Sequence, residues 1–301
     1  MENYSVCVIA SKFNDIYYAL STEEFKVKGR KLLIICKSKN LSPTIYPCQD
    51  SFDKILIVDN ENNNFISFLI NLFFCKLHLI DLQASTLFLS NPILIVNQII
   101  AKSLNAKKII FLEDGIMNYY NFLPSKSINK KIIQNLFRVS NILIENLIVI
   151  TYLFKPDYAI YFFGIKKQLF LECSDTYNFL EGKSIFVGTN IYKSNDKQSV
   201  EEYSKMVNQV IKKNKINMYL PHWRASEFES IDCEIISIPD GMTLEYIAKN
   251  TNFILYSFGS SVLYTTKVIN PNIKSIFVDY IGNSNRTLSI ISDNCDAVIH
   301  L

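Results

Sequence analysis

Runs of four to seven aliphatic and β-branched residues recur along the whole chain, with longer stretches of helical spacing between many of them. That alternation is the mark of βαβ units, in which parallel strands are joined by crossover helices. In the first half the strand candidates are SVCVIA (5–10), KLLIICK (31–37), KILIV (54–58), LHLI (77–80), KKIIFL (107–112) and DYAIYFF (157–163). Helical stretches lie near 64–74, 90–105 and 129–150. The second half repeats the pattern with SIFV (184–187), INMYL (216–220), CEIISI (233–238), NFILYS (252–257) and KSIFVDY (274–280). Its helices are expected near 198–213, 242–249 and 260–267. A polar stretch from Glu172 to Lys183 separates the halves and reads as the linker. At 301 residues there is room for two α/β domains, 1–175 and 183–301.

Composition narrows the class. A hydrophobic fraction of 49% suffices for two cores. A net charge of +3 is too small to mark a nucleic-acid surface, so no nucleic-acid partner is expected. Seven Cys form no CxxC pair and no Cys/His spacing. Cys7, Cys36 and Cys75 sit in apolar runs and read as reduced core thiols of a cytosolic protein. Three His exclude a His-rich metal site. The opening MENYSVCVIASKFND reads as no signal peptide, because Asp15 falls where an apolar segment should continue. Lys76, His78, Asp81 and Gln83 interrupt the greasiest stretch, Phe65 to Ala101, so no spanning helix is expected. Ile132 to Phe163, preceded by Lys126, Lys130 and Lys131, has two readings. It can lie on an anionic membrane face, or form a core helix followed by a core strand.

Two doubly wound domains in succession predict parallel sheets facing an interdomain cleft, lined by loops at the carboxyl ends of the strands, a GT-B-like arrangement. Three polar clusters follow strands directly. Glu113-Asp114-Gly115 follows KKIIFL; adjacent, partly desolvated carboxylates raise at least one pKa toward that of a general base, although Asp-Gly is also an ordinary turn. Pro221-His222-Trp223-Arg224 follows INMYL; the imidazole can donate to a leaving phosphate or sit satisfied in a surface loop. Phe258-Gly259-Ser260-Ser261 follows NFILYS and leads into a helix, where backbone N–H groups and hydroxyls suit a phosphate, or a Ser simply caps the helix. Gly188-Thr189 follows SIFV, where a nucleotide loop would lie. Glu245 stands near a helix start, able to accept ribose hydroxyls or to act as a helix-terminal charge.

At these motifs the chain resembles the bacterial sialyltransferases of glycosyltransferase family 52 and, more distantly, the bacterial polysialyltransferases. Those families share acidic-acidic-Gly, His-Pro and Ser-Ser motifs in this order, here EDG (113–115), PHWR (221–224) and SS (260–261). The sequence departs from the pattern in having Trp223 after His222 in place of Pro. The resemblance implies an inverting, metal-independent transfer of sialic acid from CMP-sialic acid to a bacterial surface glycan: lipooligosaccharide, O-antigen or capsule. The donor is a substrate and no separate cofactor is implied. In this reading Asp114, or Glu113, deprotonates the acceptor hydroxyl, and His222 protonates or hydrogen-bonds the departing CMP phosphate. Gly259, Ser260 and Ser261 hold that phosphate, Glu245 the ribose, and Gly188 and Thr189 the nucleotide loop. It further implies a bacterial cytoplasmic enzyme, which can associate peripherally with the inner membrane and can form a homodimer. Related chains end with a helix that crosses back to the first domain; here DAVIHL reads as a strand.

Three alternatives stand beside it: the same fold using another CMP-linked nonulosonic or ulosonic acid, a transferase using a nucleotide-diphosphate sugar, and a non-catalytic glycan- or nucleotide-binding protein. Only Lys267 is close to the FGSS loop as a cation for a second phosphate.

Overall fold

The computed structural model describes residues 1–37, 48–59, 65–92, 94–112, 128–140, 148–150, 177–189, 191, 196–222, 225–226, 229–239, 242–280 and 291–301. The chain divides into two compact units, Met1–Leu171 and Glu172–Leu301.

The first unit holds a six-stranded parallel sheet of order β3-β2-β1-β4-β5-β6. Its strands are β1 (Glu2–Ala10), β2 (Lys31–Lys37), β3 (Lys54–Asp59), β4 (Leu82–Leu89), β5 (Lys108–Leu112) and β6 (Ile148–Ile150). The central strands carry unbroken buried runs, Val6 to Ala10 in β1 and Leu32 to Cys36 in β2. A sheet covered on both faces needs this, because successive side chains point to opposite layers. Helix α1 (Phe13–Leu20) packs against β1 and β5. Helices α2 (Phe65–His78), α3 (Ile95–Ser103) and α4 (Ile128–Phe137) contribute Leu72, Cys75, Ile99, Ile100, Ile133 and Phe137 to one core with Ile9, Leu32, Leu87 and Phe111.

The second unit repeats the plan, with order β12-β11-β10-β7-β8-β9, all neighbours parallel. The strands are β7 (Ser184–Val187), β8 (Met218–Leu220), β9 (Glu234–Ile235), β10 (Ile254–Ser257), β11 (Lys274–Asp279) and β12 (Ala297–His300). Helix α5 (Lys197–Asn214) starts at Asp196, whose carboxylate accepts the Ser199 N–H, and ends at Lys215 with φ +52°. One face of α5 buries Val200, Tyr203, Val207, Val210 and Ile211 against Phe186, Tyr219 and Phe258. Phe258 centres an aromatic cluster, with ring centroids 5.2 Å from Phe186, 5.9 Å from Tyr203 and 5.3 Å from Tyr280. Helices α6 (Leu244–Ala248) and α7 (Val262–Ile269) flank β10 in sequence and pack on each other.

Several elements differ from the sequence expectation. The run at 77–80 is not a strand: α2 continues to His78 and a turn follows, and the strand is β4, one step later. The helix expected over 129–150 stops at Phe137, where Arg138 takes φ +53°, and 148–150 is the edge strand β6. CEIISI shrinks to the two residues of β9, and α1 is a helix the spacing did not flag. DYAIYFF lies outside the described residues. Among the described residues no helix is long and apolar enough to cross a membrane.

Candidate functional site

In the second sheet β7 is central. The chain steps outward from it to β8 and β9, then returns to the other side of β7 for β10, β11 and β12. Connections leave the carboxyl ends of β7 and β10 in opposite directions, and such a reversal opens a crevice where doubly wound sheets bind their ligands. Gly188-Thr189 follows β7, Gly259-Ser260-Ser261 follows β10, and Pro221-His222 follows β8. Three clusters distant in sequence thus meet at one end of three adjacent strands.

The join between β7 and β8 is close. The Gly188 N–H donates to the Leu220 carbonyl at 2.8 Å. A Cβ at Gly188 would lie 2.6 Å from Tyr219 Oη and 2.8 Å from the backbone nitrogen of His222, so only glycine fits. Beneath this contact the Thr189 N–H donates to Tyr203 Oη at 3.0 Å, Tyr203 and Tyr219 hydroxyls stand 3.4 Å apart, and Tyr219 Oη donates to Glu229 at 2.9 Å. A carboxylate only accepts, so the Tyr219 proton points to Glu229 and Tyr203 donates to Tyr219. Burial, reinforced by Tyr203 and the Glu229 charge, pushes the Tyr219 phenol far above its ordinary value and keeps it a donor. The Thr189 side chain is buried beside the Tyr203 hydroxyl.

The join between β7 and β10 is made by Ser257. Its hydroxyl, fully buried, donates to the Val187 carbonyl at 2.8 Å and accepts the Ser260 N–H at 3.3 Å. Gly259 then takes φ +137°, a conformation side chains rarely tolerate, and turns the chain into α7. Ser260 Oγ accepts the Val262 N–H at 3.3 Å, while Ser261, the residue before α7, makes no side-chain capping bond. Glu245, in the first turn of α6 and 8% exposed, accepts the Thr265 hydroxyl of α7 at 3.0 Å. That bond ties the carboxylate to the first turn of α7 and leaves its second oxygen as a further acceptor. Lys267 stands in the last turn of α7, paired with Asp296, whose other oxygen accepts the Ser275 N–H at 2.8 Å. The cation nearest in sequence to the FGSS loop is therefore committed at the opposite end of its helix.

Glu113 and Asp114 lie outside the described residues, as do Trp223 and Arg224; β5 ends at Leu112, immediately before the acidic pair. Sequence reasoning missed Ser257, Tyr203, Tyr219 and Glu229. Among the described residues no three His, Cys, Asp or Glu side chains gather to hold a metal ion.

The chain matches no protein-family profile and no curated protein sequence. Its structure is similar to the glycosyltransferase SnogD from Streptomyces nogalater, at TM-score 0.51 and 9% identity, over 100% of this chain and 87% of the other. It is also similar to the glycotransferase of kitacinnamycin, at TM-score 0.50 and 8% identity, over 100% and 87%. A Listeria monocytogenes protein described as a UDP-N-acetylglucosamine 2-epimerase aligns at TM-score 0.50 and 6% identity, over 92% and 79%. At such identities the likeness is one of fold: two parallel-sheet α/β domains of GT-B type.

Proposed function

We propose that this chain is a glycosyltransferase that moves sialic acid, or a related CMP-linked acid, from CMP to a hydroxyl of a bacterial surface glycan, with inversion at the anomeric carbon. The observation that carries the reading is the gathering of Gly188-Thr189, His222 and Ser260-Ser261 at the carboxyl ends of β7, β8 and β10, across the strand-order reversal. The N-terminus of α7 offers the Ser261 N–H and the Ser260 and Ser261 hydroxyls to one phosphate. Glu245, fastened by Thr265, takes the ribose, and His222 donates to the phosphate as it leaves. Loss of CMP from a tertiary anomeric carbon passes through an oxocarbenium-like state, so neutralising the leaving group matters more than a strong nucleophile. Asp114, or Glu113, takes the proton of the attacking hydroxyl. A single phosphate suits the place of Lys267, paired at the far end of α7, since a diphosphate donor calls for a cation beside the loop. The resemblance to family 52 at EDG, His222 and SS supports the same donor.

The test is CMP release from CMP-sialic acid, with and without a galactose-terminated acceptor, by wild type, Asp114→Ala and His222→Ala. Each substitution should lower the rate on the order of 10²–10⁴-fold. A wild type that processes no CMP-sugar but turns over a UDP-sugar would overturn the donor assignment; full activity in both variants would overturn the roles of Asp114 and His222.

A further inference from the structure

Two helices of the first unit are apolar on the side away from their core. Helix α2 buries Leu72 and Cys75, with Phe68 and Leu69 packed beside them. Ile66, Ile70, Phe73, Phe74 and Leu77 are exposed, Ile66 by 69% and Phe73 by 56%. Spaced by four, three, one and three residues, they form one strip along the helix. Helix α4 repeats the arrangement, with Ile133 and Phe137 buried while Ile128, Ile132 and Leu136 are exposed, Leu136 by 65%. Helix α3 packs against both, and Gln134 of α4 donates to Gln98 of α3 at 3.0 Å, so the three form one layer. A surface helix normally turns polar residues outward, and exposed apolar area of this extent marks an interaction site.

Charge says what covers it. Helices α2, α3 and α4 carry no Asp or Glu; Lys76, Lys102 and Lys131 are exposed on them, Lys130 is half-buried, and Arg138 follows α4 directly. The nearest acid after α2 is Asp81 in the turn. Over the whole chain acids nearly balance bases, 28 to 31, and α5 mixes Glu201 and Glu202 with its lysines. A second copy meeting this face by two-fold symmetry would set lysines against lysines. A bilayer interface with anionic headgroups meets both features, taking aromatic and aliphatic side chains to the acyl boundary and lysines to phosphates. We propose that the α2–α4 layer docks the protein on an anionic lipid bilayer, with Ile66, Ile70, Phe73, Phe74 and Leu136 entering the interface. This does not depend on the donor assignment.

Co-sedimentation of the full chain with vesicles tests it, using phosphatidylcholine alone and phosphatidylcholine with about a third phosphatidylglycerol. Wild type should sediment with the anionic vesicles, weakly with the neutral ones, and less as salt rises. Phe73→Ser with Phe74→Ser should weaken binding by at least about tenfold, and Lys76→Gln with Lys131→Gln, both exposed, by about fivefold per lysine. All four side chains are surface groups, so melting temperatures should hold; if the Phe pair alone lowers its melting temperature, the Lys pair decides. Equal binding to both vesicles, no binding, or variants that bind as wild type would overturn the proposal. So would a lipid-free dimer that the Phe substitutions convert to monomer, which would make the face a self-interface.

Discussion

A methyl group at position 188 would press on a side-chain oxygen and on a backbone nitrogen at once. The tyrosine can yield and the backbone cannot, so Gly188→Ala should push the loop bearing His222 away from β7. A cost of about 1–3 kcal/mol is expected in urea unfolding, with, on the proposed reaction, a fall in CMP release. Adding Tyr219→Phe should recover only part of the stability, because the His222 contact remains. This residue was legible only as a loop glycine; its reason for being glycine is a strand pairing between Val187 and Leu220 that no local spacing reveals. His222 and Ser260 were legible because polar residues stand out after buried strands. Tyr203, Tyr219 and Glu229 read as core or surface residues, since their hydrogen-bonded chain joins a helix, a strand and a loop. A second residue-scale expectation concerns Glu2. The Tyr4 hydroxyl foremost, then Lys54 at 3.0 Å and Arg30 at 3.2 Å, hold its carboxyl at about 2, against an ordinary 4.5. A lowered carboxyl stabilises the fold fully above its unfolded value and loses that contribution as pH falls toward its folded one. Between pH 4.5 and about 2, stability should therefore slope less steeply with pH in Glu2→Gln than in wild type; urea melts across that range measure it.

Among the elements, Ser257 links the last residue of β7 to the loop before α7. Ser257→Ala would leave the Val187 carbonyl and the Ser260 N–H without their partner, at about 1–3 kcal/mol. If α7 presents its N-terminus to the CMP phosphate, the same change should weaken CMP affinity in calorimetry while leaving the α5 side of the sheet intact. Affinity unchanged alongside the stability loss would separate the serine's structural role from the phosphate site. Strands buried on both faces, such as β2 and β7, were readable to the residue because their runs are unbroken. β4 was not: Gln83, Ser85 and Thr86 break its run, while α2 just before it carries apolar residues on two sides. The reason lies in the fold, since α2 needs one apolar side for its core and carries another on the surface.

At the scale of the molecule, the same strand order appears twice, β3-β2-β1-β4-β5-β6 and β9-β8-β7-β10-β11-β12. The alternation of β-branched runs and helical spacing announced two such sheets, but the order within each depends on crossovers that spacing does not record. The second unit has its own core around Phe186, Tyr219 and Phe258. Residues 172–301 expressed alone should therefore unfold in one cooperative step and, on the proposed donor, bind CMP, as read by thermal shift; a fragment that never gives a cooperative transition would refute this. The strand order also bears on how the protein is made. Ser257 finds Val187 seventy residues back along the chain, and contacts of that separation are slow to close. A ribosome must release nearly the whole second unit before β10 can slot beside β7. An unfinished chain therefore carries no half-built crevice between β7 and β10, and, on the proposed donor, nucleotide binding would mark the completion of folding.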